Sequence, residues 1–267
     1  MPAAESVQEA ALEKAEFEAE ADRLLAMADD RGVVLRLVGA LAFARRCPRH
    51  ARLQEMLGRE YTDIDFAAYG RDADRLRALF VGAGYADDPQ IFVDSEGSRM
   101  ILESRATGLH LDVFLDKLDF CHTVRWKGRL EIDPETIPLA EMLMQKMQIV
   151  QINEKDLIDT IMLLLEHPLA DHDDDAINVD LVAKICASDW GWWRTLTMNL
   201  EKVRQMADHY EQLTGDEKRR VSEQVRSALD RIDAEPKSMS WRLRAKVGDR
   251  KKWYREVSEL APMGGGL

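Results

Sequence analysis

A change of hydrophobic period near Pro138 constrains this chain more than any other feature. Downstream of it, Leu139 to Val150 and Lys155 to His167 place apolar residues three and four apart, the spacing that lines one face of an α-helix. Residues 178 to 261 continue in the same manner and predict several further helices. Upstream, short β-branched or alternating runs such as Val33 to Val38 and Thr62 to Tyr69 are interleaved with helical stretches. A sheet is therefore confined to the first part of the chain, about 135 residues. The expected fold class is α+β, a mixed sheet flanked by helices and followed by an all-helical C-terminal region.

Within the first part, residues 5 to 29 predict a helix rich in Ala, Glu and Leu, closed by Asp30-Arg31-Gly32. Gly39 to Arg45 predicts a turn passing into a helix that stops before Pro48, and Arg71 to Ala83 a helix ending at Gly84. Strands are expected at Gln90 to Asp94, Arg99 to Glu103 and Leu109 to Asp116, with a further pair at His122 to Trp126 and Arg129 to Ile132. Asp171-His172-Asp173-Asp174-Asp175 reads as a solvated acidic linker, because it lacks the Gly turn and the spacing of a calcium-binding EF-hand loop. The expected division is an N-terminal helix at 1–32, a unit at 33–167 and a helical unit at 178–261, with Gly264 to Leu267 as a loose tail.

Charge narrows the partners. The net charge of -12 repels phosphate backbones from the molecule as a whole. The basic stretch at 237–255 is the exception, so any nucleic-acid contact is expected to be local to it. Three cysteines, Cys47, Cys121 and Cys186, form no Cys-x-x-Cys pair, which argues against a disulfide framework and a structural zinc site. A reducing, cytoplasmic setting is the expectation. No run approaches the roughly 18 apolar residues of a membrane helix, and the Ala- and Glu-rich N-terminus has no secretory pattern.

The chemistry concentrates in carboxylates. If Thr62 to Tyr69 is a strand, Asp63 and Asp65 point to one face while Ile64 and Phe66 point to the other. Like charges about 6 to 7 Å apart repel, and a divalent cation such as Mg²⁺ or Mn²⁺ would relieve that repulsion. In Leu109 to Asp116, His110, Asp112, Phe114 and Asp116 share the face opposite Leu109, Leu111, Val113 and Leu115. An antiparallel or mixed sheet aligning Asp112 with Asp63 and Asp65 would make three carboxylates, enough for two-metal phosphoryl chemistry. A plain solvent face is the alternative for acids that alternate along a strand.

Leu37-Val38-Gly39-Ala40, Thr62-Asp63-Ile64-Asp65 and His110-Leu111-Asp112-Val113-Phe114 come in that order, and together they resemble the nucleotidyltransferase superfamily. That superfamily includes DNA polymerase β, antibiotic nucleotidyltransferases and AbiEii-type toxins. Its pattern is a strand ending in Gly-Gly or Gly-Ser, then Asp-x-Asp, then a third Asp on a later strand. Glu141 to Lys146 followed by Lys155-Asp156-Leu157-Ile158-Asp159 is similar to the arrangement in AbiEii-like members, so the resemblance spans about residues 33 to 166. It implies metal-dependent transfer of a nucleoside monophosphate from a nucleoside triphosphate to a hydroxyl acceptor. Asp63, Asp65 and Asp112 would be the catalytic and metal-binding residues. Gly39, Ala40 and the helix start after them would hold phosphate, with Lys146 and then Lys155 as phosphate-binding lysines that Asp156 and Asp159 would orient, or those acids would close the site; ordinary charges on an amphipathic helix are the alternative. Ala40 departs from the pattern: it removes a hydroxyl and restricts the backbone. A catalytically inactive nucleotide-binding or sensing module of the same fold is therefore the competing expectation.

Other features have two readings each. His110 and His122 flank the Asp112 strand, where His110 could assist the site or be structural, and Asp116 could replace or supplement Asp112. Arg59 could reach a phosphate or remain a surface charge. Trp190-Gly191-Trp192-Trp193 suggests packing or a stacking platform, and the aromatic, basic segments 240–246 and 250–255 suggest a solvated face or an RNA contact. The latter motivates a toxin-like enzyme acting on RNA as a third expectation. The acceptor itself, whether a small molecule, tRNA or a protein hydroxyl, has no motif.

Overall fold

The computed structural model describes residues 14–58 and 61–256. The expectation for Arg59 and the parts of the predicted helix and tail beyond these limits lie outside the described residues. Helix α1 (Lys14–Asp29) buries Phe17, Ala21, Leu24 and Ala28, spaced three, four and seven apart, beside the sheet. After it come β1 (Leu35–Leu37), α2 (Gly39–Arg46), α3 (Arg52–Met56), β2 (Asp63–Ala68), α4 (Ala73–Gly82) and β3 (Tyr85–Asp87). Helix α5 (Pro89–Asp94), β4 (Arg99–Ser104) and β5 (His110–Leu115) complete the sheet region.

Five strands form one mixed sheet in the order β1-β2-β5-β4-β3. Strands β2 and β5 are parallel neighbours at its centre, and the remaining pairs are antiparallel. Ile64, Phe66, Ala67 and Ala68 of β2 and Leu111 and Val113 of β5 are fully buried, so the centre is covered on both faces. Phe114 closes one of these faces edge-on against Phe120, with ring centroids 5.8 Å apart.

The helical region follows a hairpin of β6 (Lys117–Asp119) and β7 (Thr123–Arg125). It comprises α6 (Leu139–Met147), α7 (Glu154–Glu166), α8 (Val179–Ser188), α9 (Trp190–His209), α10 (Gly215–Ala234) and α11 (Met239–Val247), with a two-residue pair β8 (Leu169–Ala170) and β9 (Ile177–Asn178) between α7 and α8. Every residue of α6 is buried, and so is α7 from Ile158 onward, because these helices are covered on all sides. Helix α7 touches α2 and α3 on the sheet side and α9 and α10 on the other. One apolar cluster therefore runs from Phe17 to Ile232. Asn199 of α9 adds a polar tie, donating to the carbonyls of Met147 (3.0 Å) and Ile149 (2.8 Å).

Two expectations are corrected and a third is extended. Gln90 to Asp94 is not a strand but part of α5: Asp88 caps the helix by accepting from Gln90 N at 3.0 Å, and Pro89 occupies its first position. Arg129 to Ile132 forms no strand either. Strand β7 pairs with β6 instead, and the backbone of Leu130 is taken by side chains, its N–H donating to Tyr69 Oη (3.3 Å) and its carbonyl accepting from Arg36 Nε (2.7 Å). The acidic stretch at 171–175 is largely exposed, as a solvated linker should be, and it is tethered as well. Asp173 pairs with Arg129 (2.6 Å) and Asp175 with Arg46 (3.0 Å), which straps it to the neighbouring elements. No helix among the described residues is long and apolar enough to cross a membrane.

Candidate functional site

The parallel register of β2 and β5 sets Asp65 opposite Asp112 and Asp63 opposite His110. Neighbouring strands lie about 4.8 Å apart, so residues in register on one face are close neighbours. Asp63 is exposed at the strand start, Asp65 is half-buried, and Asp112 is 9% exposed. The three acids singled out from the sequence thus come together.

Gly39 starts α2 against this face. Its φ of +67° lies in the left-handed region, and a Cβ there would sit 2.1 Å from Asp65 Oδ2. Val38 N donates to the Asp65 carbonyl at 3.0 Å, which fixes β1 and the helix start to β2. The N-cap residue Val38 makes no side-chain cap for the first-turn amides of α2. Gly39 N donates to Gln145 Oε1 at 3.4 Å, tying the same turn to α6. Ala40 is half-buried, and its carbonyl accepts from Gln54 Nε2 at 3.4 Å.

Burial pushes the Asp65 carboxyl well above the usual carboxylate range, and repulsion from Asp63 and then Asp112 adds to it, while Lys146 and Arg99 oppose. Burial also raises Asp112, against the lowering effect of its hydrogen bonds with Arg99. Arg99 Nε lies 2.8 and 3.0 Å from the two oxygens of Asp112, and its terminal nitrogen completes a fork on the same carboxylate. Arg99 comes from β4, which pairs antiparallel with β5.

Lys146 belongs to a buried polar chain. Its Nζ donates to Asp156 Oδ1 (2.6 Å), pairs with Asp159 Oδ2 (2.9 Å), and lies 5.4 Å from the centre of the Phe43 ring. Gln54 Nε2 donates to Asp159 Oδ1 (2.7 Å), and Tyr61 Oη donates to Gln54 Oε1 (2.9 Å). The acids named as orienting Lys146 do hold it. Lys155, by contrast, is exposed on the first turn of α7 and makes no ion pair or hydrogen bond among the described residues.

No family model and no curated protein matches this chain. Among the described residues no group of three His, Cys, Asp or Glu side chains is arranged to hold a metal ion. The donor set nevertheless fits a hard divalent cation at Asp63 and Asp65: they are oxygen ligands on one strand face, and mutual repulsion already disfavours the charged form of Asp65. Asp112 would join only by exchanging Arg99.

The secondary candidates separate. His110 lies beside Asp63 in register. Asp116 is occupied elsewhere, accepting from Gly70 N at 3.1 Å beyond the end of β5. His122 is remote in the structure's wiring: it bonds Thr195 Oγ1 (2.8 Å), and its ring lies 4.9 Å from that of Trp192. The Trp190–Trp193 run packs against the C-terminal segment, Trp190 edge-on to Trp253 (6.0 Å) and Trp193 edge-on to Trp241 (5.3 Å). Sequence reasoning missed Arg99, Gln54 and Gln145. Arg99 carried a weak signal, a lone cation on a strand next to the Asp112 strand. The other two carried none, because nothing in a polar helix position announces a buried partner.

Proposed function

We propose that this protein is a metal-dependent nucleotidyltransferase with a polymerase β-like core, moving a nucleoside monophosphate from a triphosphate to a hydroxyl acceptor. The observation that carries the reading is the parallel register of β2 and β5, which sets Asp65 beside Asp112 with Asp63 on the same strand. Asp63 and Asp65 hold the divalent cation. A Mg²⁺ or Mn²⁺ ion bound there supplies charge neutralisation for the triphosphate and acidifies the attacking hydroxyl.

The chain's own residues do the rest. Gly39 lets the start of α2 approach Asp65 closely, so the first-turn amides can receive phosphate oxygens. Lys146, gripped by Asp156 and Asp159, adds positive potential at Asp65 from a fixed position. Asp112, raised by burial, is suited to take the proton of the acceptor hydroxyl once Arg99 releases one of its oxygens.

The test is titration of the protein with each nucleoside triphosphate, with and without Mg²⁺, alongside Asp63→Ala/Asp65→Ala, with pyrophosphate release as the second readout. Metal-dependent binding that vanishes in the variant supports the carboxylate site, and pyrophosphate release supports turnover. Absence of binding to any triphosphate rejects the reading. A second reading, a nucleotide-binding module without turnover, is favoured by the Arg99 clamp on Asp112 and by Ala40. Metal-dependent binding without pyrophosphate release under any acceptor, tRNA and small hydroxyl compounds included, would select it.

A further inference from the structure

A cavity of about 790 Å³ opens between the β6–β7 hairpin, α6, α8, the start of α9 and the segment after α11. It shares no lining residue with the carboxylate site. Six Lys and Arg side chains line it against two carboxylates, and three of the six, Arg129, Lys252 and Arg255, are also paired with Asp173, Glu256 and Asp119 outside the lining. Both carboxylates are already engaged. Glu141 is paired with Arg129 at 2.5 Å, and Asp189 caps α9 by accepting from the amides of Gly191 (2.7 Å) and Trp192 (3.1 Å). Arg125 and Lys127 are exposed along the lining, and no acid pairs with either among the described residues.

The aromatic wall of this cavity is fixed from behind. Trp253 Nε1 donates to Thr195 Oγ1 at 2.9 Å, and the same hydroxyl bonds His122 Nε2 at 2.8 Å. Gly191 makes room for this contact, since a Cβ there would lie 2.7 Å from the Trp253 carbonyl. Tyr254 extends the wall, its ring 5.4 Å from that of Trp253 and nearly perpendicular to it. Burial holds His122 down at about 4, so at neutral pH the positive charge of the cavity comes from its Lys and Arg side chains.

We propose that this cavity binds a phosphorylated aromatic small molecule of mononucleotide size, at a site separate from the carboxylates. Unpaired cations call for an anion with several oxygen acceptors, and the rings call for a flat partner. The volume lies within the range of small-molecule sites. A long polynucleotide is disfavoured, because phosphates extending beyond the cavity and the basic stretch at 237–255 that lines it would meet a chain of net charge -12.

The proposal stands independently of the transferase reading, and its test is arranged to keep them apart. The Asp63→Ala/Asp65→Ala protein is titrated in EDTA with AMP, ATP, inorganic phosphate and a short oligoribonucleotide, by tryptophan fluorescence and calorimetry. Saturable binding of AMP or ATP is expected, weakened at least about tenfold when Arg125→Ala and Lys127→Ala are added, since each removes an exposed charge-assisted contact. Inorganic phosphate is expected to bind more weakly than AMP. Absence of saturable binding, binding indifferent to the Arg125 and Lys127 changes, or affinity that rises with oligonucleotide length beyond that of AMP would each overturn the proposal. Circular dichroism of the Arg125→Ala/Lys127→Ala protein checks that these exposed changes leave the fold intact.

Discussion

At the residue scale, Gly39 and Asp65 are each defined by the other. A side chain at 39 would need both a left-handed backbone and the space held by Asp65 Oδ2. Gly39→Ala is therefore expected to destabilise the protein by at least about 2 kcal/mol, read as a lower midpoint in urea. An unchanged midpoint would mean that Asp65 can move aside freely. Asp65 itself is expected to weaken the metal-free fold. Its folded carboxyl is raised above the value it has in the unfolded chain, so the unfolded chain ionises first as pH rises, and stability falls through that window. Asp65→Asn removes the penalty. At pH 7 without metal, the variant should melt at least about 2 °C above the parent, roughly 1 kcal/mol for a chain of this size. Mg²⁺ with a triphosphate should raise the parent's melting temperature and leave the variant's unchanged. A lower melting temperature for the metal-free variant would contradict this account.

At the element scale, α7 links the two halves. Its residues from Ile158 to Glu166 are all buried, between α2 and α3 on one side and α9 and α10 on the other. Gln224 of α10 reinforces the contact by donating to the carbonyls of Leu164 (3.3 Å) and His167 (3.0 Å). Leu164, fully buried, is the clearest probe. Leu164→Ala is expected to cost about 3 kcal/mol through lost burial and the cavity left behind. Chemical denaturation checks it, and a loss below about 1 kcal/mol would mean that the helices around it close up freely. Helix α5 illustrates how local chemistry competes. Ile91, Phe92 and Val93 favour a strand, but the Asp88 cap and Pro89 start a helix in front of them.

At the scale of the whole molecule, continuity of the core makes distant groups share one stability. His122 sits before α6 in the chain yet bonds Thr195 of α9. In the unfolded chain its imidazole titrates near 6.5, whereas burial holds it at about 4 in the folded protein. Between those values the unfolded chain takes up a proton that the folded one refuses. The contribution of His122 is therefore complete above about pH 6.5 and declines as pH falls towards 4. Thermal melts at pH 7.5 and 5 are expected to show a smaller loss of stability on acidification for His122→Gln than for the parent. Equal losses would show that this histidine stays accessible to protons.

The strand alternation of Thr62 to Tyr69 and the helical spacing beyond Pro138 were legible in the residues alone, because side-chain period follows directly from backbone geometry. That is why the order of elements, the mixed sheet before a helical region, and the shared face of Asp63 and Asp65 could be read locally. The proximity of Asp112 to Asp65 could not. Residues far apart in sequence meet according to which strands pair and in what register, and burial on both faces of β2 and β5 sets that pairing. The fork of Arg99 on Asp112 and the chain from Tyr61 through Gln54 to Lys146 depend on the same packing. A buried polar side chain finds its partner only after the elements carrying both have packed together, and no local pattern encodes that meeting.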